Sequence, residues 1–226
     1  MPTRIKICGV TRLEDALWAV DLGAAALGFN FYPPSPRYIE PAAARAIVRR
    51  LPPFVTAVGV FANETDAGHV ISLALEASVT AVQVHGPGFP ALHELLSAFT
   101  LVVAVAVREG FKAEELGRFK PSAYLLDAFD PDRQGGTGKT FDWSAAREAS
   151  QYGAIILAGG LTPENVGRAV REVRPFAVDV ASGVESAPGI KDPAKLRAFF
   201  AAVAEADSEL EPAGVDSRPP HPARPG

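Results

Sequence analysis

The sequence predicts an α/β protein that folds as a single (β/α)8 TIM barrel, and three observations lead to this prediction. Apolar runs of strand length alternate with helical patterns from end to end, which is typical of βα units and a parallel sheet. Eight such units occur in about 200 residues, the size of a compact barrel, whereas a doubly wound sheet more often has five or six strands. With 226 residues, 48% of them hydrophobic, the chain can bury a core of this size.

Each predicted strand is a short run rich in Val, Ile, Leu and Ala, as expected of strands that are covered on both faces. In chain order the eight strands are Arg4–Cys8, Ala25–Asn30, Val55–Phe61, Ala81–His85, Leu101–Val107, Ala123–Asp127, Ala154–Ala158 and Phe176–Ala181.

The helices between these strands have recognisable starts. Thr11 with Glu14 has the pattern of a capping box, and Thr65 and Thr162-Pro163 begin helices with a cap or an early proline. A last amphipathic helix starts at Lys191-Asp192-Pro193 and would pack against the sheet through Leu196, Phe199, Phe200 and Val203.

The barrel is predicted to occupy residues 1–206, and residues 207–226 to form a disordered tail. This tail contains five of the 20 prolines, no aromatic residue and only four apolar residues. Such a composition offers too little burial to offset the entropy of ordering.

Composition and charge limit the classes of partner. The formal net charge is −4 and the 22 Lys and Arg residues form no cluster, so we expect no nucleic-acid partner. The longest apolar stretch, roughly Leu95 to Val107, is shorter than the about 20 residues that a membrane-spanning helix needs, so no membrane contact is expected. No signal peptide is recognisable, which together with the single cysteine predicts a cytoplasmic protein.

Cys8, the only cysteine, follows the run Ile5-Lys6-Ile7 at the predicted end of the first strand. One thiol cannot form an internal disulfide, and metal sites built on sulfur need two or more spaced cysteines, so we expect neither a disulfide nor a bound metal. Free cysteine is often simply buried. Catalytic groups, however, gather at the C-terminal ends of barrel strands, and position alone leaves packing and chemistry equally open.

Other predicted strands also end in polar residues or glycine, and in a barrel all these ends face one mouth. They are His85-Gly86 after strand 4, Asp127 at strand 6, Gly159-Gly160 after strand 7, and Asp179 with Ser182-Gly183 at strand 8. One acid at a strand end can be a satisfied core carboxylate, whereas several such ends together predict a functional site.

Gly159-Gly160 and Ser182-Gly183 lie where barrels of this class bind phosphate through backbone N–H groups and a short helix N-terminus. The alternative is two ordinary turns that need glycine for their backbone conformation. A glycine pair after one strand and Ser-Gly after the next favour phosphate binding.

The loop after strand 2, from Phe31 to Tyr38, contains three prolines and one arginine, Arg37. A planar guanidinium on a stiff loop indicates capture of a carboxylate or a phosphate, because little entropy is lost in holding it. The alternative is a surface arginine paired with a neighbouring acid.

The segment Gly135-Gly136-Thr137-Gly138-Lys139-Thr140 ends like a nucleotide-binding Walker A loop. The first glycine of that motif would stand at position 133, where the chain has Arg133, and Phe141-Asp142-Trp143 interrupts the helix that should follow. We therefore predict a flexible lid over the barrel mouth.

Taken together, several segments resemble the phosphoribosylanthranilate isomerase family of tryptophan biosynthesis. The resemblance covers roughly residues 4–203, with Ala181 and Val84 as departures from the commonest family residues. It rests on Lys6-Ile7-Cys8-Gly9, Phe31-Tyr32-Pro33, Ser35-Pro36-Arg37-Tyr38, Gln83-Val84-His85-Gly86, Gly135-Gly136-Thr137-Gly138-Lys139, Phe141-Asp142-Trp143, Leu157-Ala158-Gly159-Gly160-Leu161 and Asp179-Val180-Ala181-Ser182-Gly183-Val184-Glu185.

This resemblance implies a cofactor-independent Amadori rearrangement of N-(5-phosphoribosyl)anthranilate to 1-(2-carboxyphenylamino)-1-deoxyribulose 5-phosphate. It implies that Asp127 is the general acid and Cys8 the general base, and that Arg37 binds the anthranilate carboxylate. It also implies a phosphate grip by the amides around Gly159, Gly160, Ser182 and Gly183. Asp179 would contact a ribose hydroxyl or orient the last loop, and His85 would line the aniline side; either residue could instead be structural support.

Three alternatives remain at this stage. The related aldose–ketose isomerase of histidine biosynthesis would share the fold and the phosphate site. The resemblance to that enzyme would imply two aspartates as acid and base, whereas this chain has Cys8 in the first strand. A nucleotide hydrolase would need the glycine-rich segment to bind ATP. A binding barrel without catalysis would not need both Cys8 and Asp127. The chain is expected to be a monomer or a homodimer.

Overall fold

The computed structural model of the chain describes residues 2–86, 99–107, 110–118, 120–127 and 143–210. In this part of the chain, eight parallel strands close into a barrel in the order of the sequence, which confirms the predicted fold. Predicted and observed strand ends differ by at most one residue. The strands are β1 (Arg4–Ile7), β2 (Ala26–Asn30), β3 (Thr56–Ala62), β4 (Ala81–His85), β5 (Thr100–Ala106), β6 (Ala123–Asp127), β7 (Ile155–Ala158) and β8 (Ala177–Val180).

Helices and short 3-10 segments connect the strands and cover the outside of the barrel. The α-helices among the described residues are α1 (Leu13–Asp21), α2 (Pro41–Val48), α3 (Ala67–Ala77), α4 (Trp143–Ala149), α5 (Val166–Val173) and α6 (Pro193–Leu210). The 3-10 segments are Ala113–Arg118, Ser150–Tyr152 and Ser182–Val184, and a short antiparallel pair, β9 (Glu185–Ala187) and β10 (Ile190–Lys191), follows the last of them. None of the helices within the described ranges is long and apolar enough to cross a membrane.

The helix starts differ in detail from the sequence prediction. Helix α1 has Arg12 at its N-cap without a side-chain cap, because the hydroxyl of Thr11 donates instead to the carbonyl oxygen of Gly189. The predicted capping box is therefore wrong. Helix α3 is capped by Asp66, not Thr65: the Asp66 carboxylate accepts hydrogen bonds from the next turn. Helix α5 begins only at Val166, after a turn.

Alternation along the strands divides the core into two regions. Outward-facing strand residues such as Ile7, Leu126 and Val178 are completely or almost completely buried against the helices. The predicted contact of the last helix with this core is confirmed, because Leu196 and Phe199 are fully buried. A second apolar cluster, formed by inward-facing residues, fills the barrel interior: Val102, Ala123, Leu125, Ile156, Ala158 and Ala177.

The last helix corrects the predicted start of the tail. Helix α6 continues to Leu210, four residues into the segment expected to be disordered. Asp207 explains the extension, since its carboxylate accepts hydrogen bonds from the backbone N–H of Thr3 (2.6 Å) and from the Thr3 hydroxyl (2.7 Å). These bonds attach the end of the helix to the first strand. Residues 211–226 lie outside the described part of the chain.

Candidate active site

A cavity of about 640 Å³ lies at the C-terminal ends of the strands. The same alternation that places apolar residues deeper in the barrel places polar ones here, at the last inward-facing position of several strands. Eight of the nine site residues proposed from the sequence line this cavity: Cys8, Arg37, His85, Asp127, Gly159, Gly160, Asp179 and Ser182.

Gly183, the ninth, is not among the residues that line the cavity. A Cβ atom at this position would collide with the carbonyl oxygen of Leu161. The absence of a side chain therefore lets the loop after β8 pack closely against the loop after β7. A phosphate contact from the Gly183 backbone stays a prediction.

The loop after β7 has the backbone conformation that only glycine adopts without strain. Gly159 and Gly160 have φ angles of +86° and +64°, both in the left-handed region. The side chain of Asn165 holds the turn from outside: it donates to the carbonyl of Gly160 and accepts from the N–H of Thr162. This fixed turn forms one wall of the cavity, beside Ser182.

Cys8 stands at the end of β1, with its backbone N–H bonded to the carbonyl of Val180 on β8. Its side chain is half-buried and faces the cavity. Gly28 on β2 makes room for it, because a Cβ atom there would lie 2.8 Å from the Cys8 Sγ and 3.2 Å from the Lys6 Nζ. The thiol and the Lys6 ammonium thus share the space beside Gly28.

Lys6 is a buried charged residue that the sequence analysis did not assign to the site. Its Nζ lies 2.9 Å from Oδ1 of Asp179, and both side chains are more than nine-tenths buried. Burial alone lowers the pKa of Lys6, but Asp179 and Cys8 outweigh it, so the net shift is upward. Lys6 is therefore a fixed positive charge, and Asp179 is its counterion.

The local charges act on Cys8 in opposite directions. Burial raises the pKa of the Cys8 thiol, and so does the Asp179 carboxylate, whereas Lys6 and Lys191 lower it. The net shift is upward. In the unliganded protein the thiol is therefore protonated at neutral pH, and the cations limit the cost of forming the thiolate.

Arg37 crosses from the loop after β2 to the segment after β8. Its Nε and Nη2 donate to the Glu185 carboxylate at 2.6 to 3.1 Å, and Glu185 also accepts from the Lys191 Nζ at 2.9 Å. Lys191 is completely buried and donates further to the carbonyl of Cys8 at 2.6 Å. Gly9 has no side chain to obstruct Arg37, whose Cδ lies 2.5 Å from where a Cβ would stand. The guanidinium is thereby held at the rim of the cavity.

His85 ends β4, and its Nε2 lies 2.7 Å from the side-chain Nε2 of Gln83. The Gln83 side-chain amide is therefore the hydrogen-bonding neighbour of the His85 ring. Burial, assisted by the positive charge of Lys6, lowers the pKa of His85 to about 4. His85 is therefore neutral at physiological pH.

Asp127 ends β6, three strands away from Cys8 around the closed barrel through β8 and β7. Both side chains line the same cavity. An acid and a thiol thus line one mouth, and β8, which carries Asp179, is one of the two strands between theirs. The glycine-rich segment 135–140, predicted to be a lid, lies outside the described residues.

Known proteins resemble this chain in sequence and in fold. The family profile described as N-(5'-phosphoribosyl)anthranilate (PRA) isomerase matches residues 5–202. The chain belongs to this isomerase family. The family's curated member from Citrifermentans bemidjiense, named N-(5'-phosphoribosyl)anthranilate isomerase, is 50% identical over 199 residues, which are 88% of this chain and 96% of that protein.

Solved structures of phosphoribosylanthranilate isomerases show the same fold. The enzyme from Thermus thermophilus is 42% identical with a TM-score of 0.81, over 90% of this chain and 99% of that one. Another, in complex with reduced 1-(o-carboxyphenylamino)-1-deoxyribulose 5-phosphate, is 39% identical with a TM-score of 0.78, over 90% and 99%. Monomers of the dimeric Thermotoga maritima enzyme are 37% identical with a TM-score of 0.76, over 89% and 98%.

The sequence predicts the site residues at the strand ends, but it does not predict the residues that hydrogen-bond to them or lie beside them. Lys6 had a usable signal, because it is a charged residue two positions before Cys8 and therefore faces the same side of β1. Glu185 and Lys191 had no such signal, since their contact with Arg37 and Cys8 depends on how the chain returns after β8.

Proposed function

We propose that this chain catalyses the Amadori rearrangement of N-(5-phosphoribosyl)anthranilate to 1-(2-carboxyphenylamino)-1-deoxyribulose 5-phosphate. The observation that carries the proposal is that Cys8 and Asp127 line one cavity, with Arg37 at its rim and the Gly159-Gly160 turn in its wall. An acid, a base and two anion-binding positions are what this reaction needs.

In the first step, Asp127 donates its proton to the furanose ring oxygen. The C–O bond breaks, the sugar opens, and the nitrogen lone pair forms an iminium cation. The carboxyl must hold its proton until the substrate binds, and the negative charges of the substrate carboxylate and phosphate favour the protonated form.

In the second step, the Cys8 thiol releases its proton to solvent, and the resulting thiolate removes the C2′ proton. The C–H electron pair neutralises the iminium and gives an enolamine, which tautomerises to the ketone by gaining a proton at C1′ and losing one at the C2′ hydroxyl. Cys8 is then a thiol again, and the Asp127 carboxylate regains a proton from solvent, which returns the chain to its starting state. No electrons leave the substrate, and the route requires no cofactor.

The two charged ends of the substrate have separate binding positions in this proposal. The Arg37 guanidinium binds the anthranilate carboxylate, and the backbone N–H groups of Gly159, Gly160, Ser182 and Gly183 bind the phosphate. Fixing both ends places the ring oxygen and C2′ between the two catalytic groups, so that positioning contributes much of the acceleration.

Asp179 and neutral His85 contact the middle of the substrate. Asp179 uses one carboxylate oxygen for Lys6, and we assign its other oxygen to a ribose hydroxyl. His85, with a pKa near 4, adds no charge to the cavity and lines the aniline side.

Cys8 also discriminates among the alternatives. In the aldose–ketose isomerase of histidine biosynthesis, the resemblance implies two aspartates as acid and base. This chain instead has a thiol at the end of the first strand. The nucleotide hydrolase rests on residues 135–140 alone, and the binding barrel leaves the Cys8–Asp127 pair without a purpose.

The proposal is tested by following the loss of phosphoribosylanthranilate fluorescence with the purified protein. We expect turnover by the wild-type chain without added metal or nucleotide, and almost none by Asp127→Asn at equal concentration. Absence of turnover by folded wild-type protein would refute the proposal. Turnover of the histidine-pathway aminoaldose substrate alone would favour the first alternative.

We further propose that the chain forms a homodimer through the N-terminal end of the barrel. Phe54, in the turn before β3, is fully exposed with a strained φ of +73°. A cavity of about 270 Å³ at the same end of the barrel is lined by Arg4, Phe176 and neighbouring residues. A two-fold axis would let each Phe54 enter the partner's cavity, which gives a self-complementary contact. The Thermotoga maritima relative is described as dimeric.

Sedimentation velocity at micromolar concentration tests the dimer. We expect a dimer for the wild type and a monomer for Phe54→Asp, with turnover retained because Phe54 lies at the opposite end of the barrel from Cys8. A monomeric wild-type chain would contradict this proposal and leave the proposed activity untouched.

The catalytic unit in this proposal comprises residues 1–210, because α6 extends to Leu210. We place it in the cytoplasm, where a single free thiol stays reduced.

A further inference from the structure

Lys6 is a buried cation to which the proposed mechanism assigns no step. Its side chain is only 4% exposed, and it points into the barrel just below the cavity. Burying an ammonium group is costly even with a counterion, and an apolar pair of similar volume often serves stability as well or better. Asp179 alone could bind a ribose hydroxyl without a buried lysine, so the pair requires another explanation.

The space beside Gly28 shows what Lys6 approaches. The Cys8 Sγ and the Lys6 Nζ lie 2.8 Å and 3.2 Å from the same point, the Cβ position that Gly28 leaves unoccupied. The two atoms are therefore within about 6 Å of each other, with no side chain from β2 between them. A residue larger than glycine at this position would displace one of them.

We propose that Lys6 is a positioning residue for the reaction: its ammonium group stabilises the thiolate of Cys8, and Asp179 holds the ammonium in place. The proposal rests on the assignment of Cys8 as the base under the proposed function. Lys6 touches no reacting atom, and it acts through the thiol.

Charges from every element around Cys8 bear on this assignment. Lys6 is on the same strand, Asp179 comes from β8, Lys191 from β10 and Arg37 from the loop after β2. Lys191 and Arg37 share the single carboxylate of Glu185, so these three groups together keep one positive charge. Among these charges, Lys6 has the largest effect on the pKa of the thiol and lowers it, while Asp179 has the next largest and raises it.

His85 is the other titratable group that faces Lys6. It is neutral at physiological pH because its pKa is about 4, and it therefore adds no charge that could replace Lys6. At a separation of about 6 Å and an effective dielectric constant near 20, one unit charge changes the thiolate fraction by about a hundredfold.

The reactivity of the thiol gives a readout that needs no substrate. Cys8 is the only cysteine, so alkylation by iodoacetamide, followed by intact mass against pH, reports on this one group. We expect Lys6→Met to slow alkylation at pH 7.5 by about tenfold and to move the midpoint of the rate profile to higher pH. The rate falls less than the thiolate fraction because a more basic thiolate is a better nucleophile.

Asp179→Asn should change the alkylation rate in the opposite direction. Removing the carboxylate leaves Lys6 without its counterion, so alkylation becomes several-fold faster and its midpoint moves to lower pH. The double variant Lys6→Met/Asp179→Asn falls between the two single variants. If the Lys6–Asp179 pair were purely structural, the two single variants would change the alkylation rate in the same direction, because each would loosen the site and expose the thiol.

Lys120→Met, at an exposed lysine three residues before β6 and therefore at the opposite end of the barrel from the cavity, is the matched control, and each rate is divided by that of the denatured variant. Equal rates for folded Lys6→Met and the wild type would overturn the proposal. If Lys6→Met fails to fold, the alkylation rates of Asp179→Asn and of the double variant test the proposal instead. A rate in Asp179→Asn that is equal to or lower than that of the wild type would overturn the proposal. Loss of the proposed activity would show separately, as absent turnover with the alkylation pattern intact.

Discussion

Arg37 and Glu185 form a two-pronged ion pair that joins the loop after β2 to the segment after β8, 148 residues further along the chain. The Glu185 carboxylate is 4% exposed and the Arg37 side chain 23%, so the acid is anchored inside and the guanidinium reaches the cavity rim. Its Nη1 makes no hydrogen bond to any of the described residues. The pair therefore holds a preoriented donor at the cavity rim, where the proposed function places the substrate carboxylate.

Arg37→Ala should raise KM by about 10- to 150-fold, because a hydrogen bond to a charged group contributes about 1.5–3 kcal/mol. We expect kcat to change less, since Arg37 touches neither the ring oxygen nor C2′. Steady-state kinetics measures both. Folding should persist, because Glu185 keeps its bonds to Lys191.

Arg45→Ala, at an exposed position of α2, is the matched control and should leave KM at the wild-type value. An unchanged KM in Arg37→Ala would make Arg37 a surface residue whose only partner is Glu185, and would remove the carboxylate anchor from the site.

His85 should make the protein less stable at low pH. Its pKa is about 4 in the folded chain, against 6.5 for an unperturbed histidine. Between these values the unfolded chain binds a proton that the folded chain does not, so the free energy of unfolding falls as pH falls from about 6.5 to about 4. The loss should approach about 3 kcal/mol.

Urea unfolding at pH 7 and pH 4.5 checks this expectation. His85→Gln should lose about 2–3 kcal/mol less than the wild type over that interval. His69→Gln, at an exposed position of α3, controls for the substitution itself and should behave like the wild type. Identical pH dependence in His85→Gln and the wild type would contradict the buried, neutral ring.

The C-terminal boundary predicts different effects for two truncations. Deleting residues 211–226 should leave Tm and kcat unchanged, because their composition offers little to pack. Deleting 207–226 also removes Asp207 and leaves the Thr3 donors without their partner. We expect that deletion to cost about 1–3 kcal/mol and to lower Tm by roughly 2–12 °C.

Asp207→Ala in the full chain should reproduce most of that loss in thermal denaturation. If both truncated chains melt at the same temperature, the Thr3–Asp207 contact contributes nothing and the barrel ends at residue 206 as the composition suggested.

The barrel and the strand-end residues could be predicted because both follow from short-range pattern. Alternation within Ala123–Asp127 places Asp127 on the inner face, and the strand's parallel neighbours bring Cys8, His85 and Asp179 to the same end. Once the eight strand ends are known, the residues of the site can be identified, even though they are far apart in sequence.

The supporting contacts could not be predicted, because they depend on three-dimensional proximity without a pattern. Thr11 and Glu14 have the spacing of a capping box, yet the Thr11 hydroxyl donates to the carbonyl of Gly189, in the segment that follows the neighbouring strand β8. The composition of residues 207–226 predicts disorder and gives no sign that Asp207 accepts hydrogen bonds from Thr3. The sequence predicts that the Gly183 backbone binds phosphate, and the structure adds a packing reason for the lack of a side chain at this position.

The central claim is that Cys8 and Asp127 are the base and the acid of one reaction, and their kcat values test it most directly. Serine is a far weaker base than a thiolate, and an amide does not donate a proton at comparable cost. Cys8→Ser and Asp127→Asn should each lower kcat by about 10²–10⁴-fold, with KM little changed.

The double variant should lose less than the product of the two single effects, because a site without one partner gains little from the other. The deciding measurement is kcat of folded Cys8→Ser with phosphoribosylanthranilate. The account predicts a loss of at least about a hundredfold. A kcat near that of the wild type would contradict it, return Cys8 to a packing role, and make Asp179 the first candidate for the base.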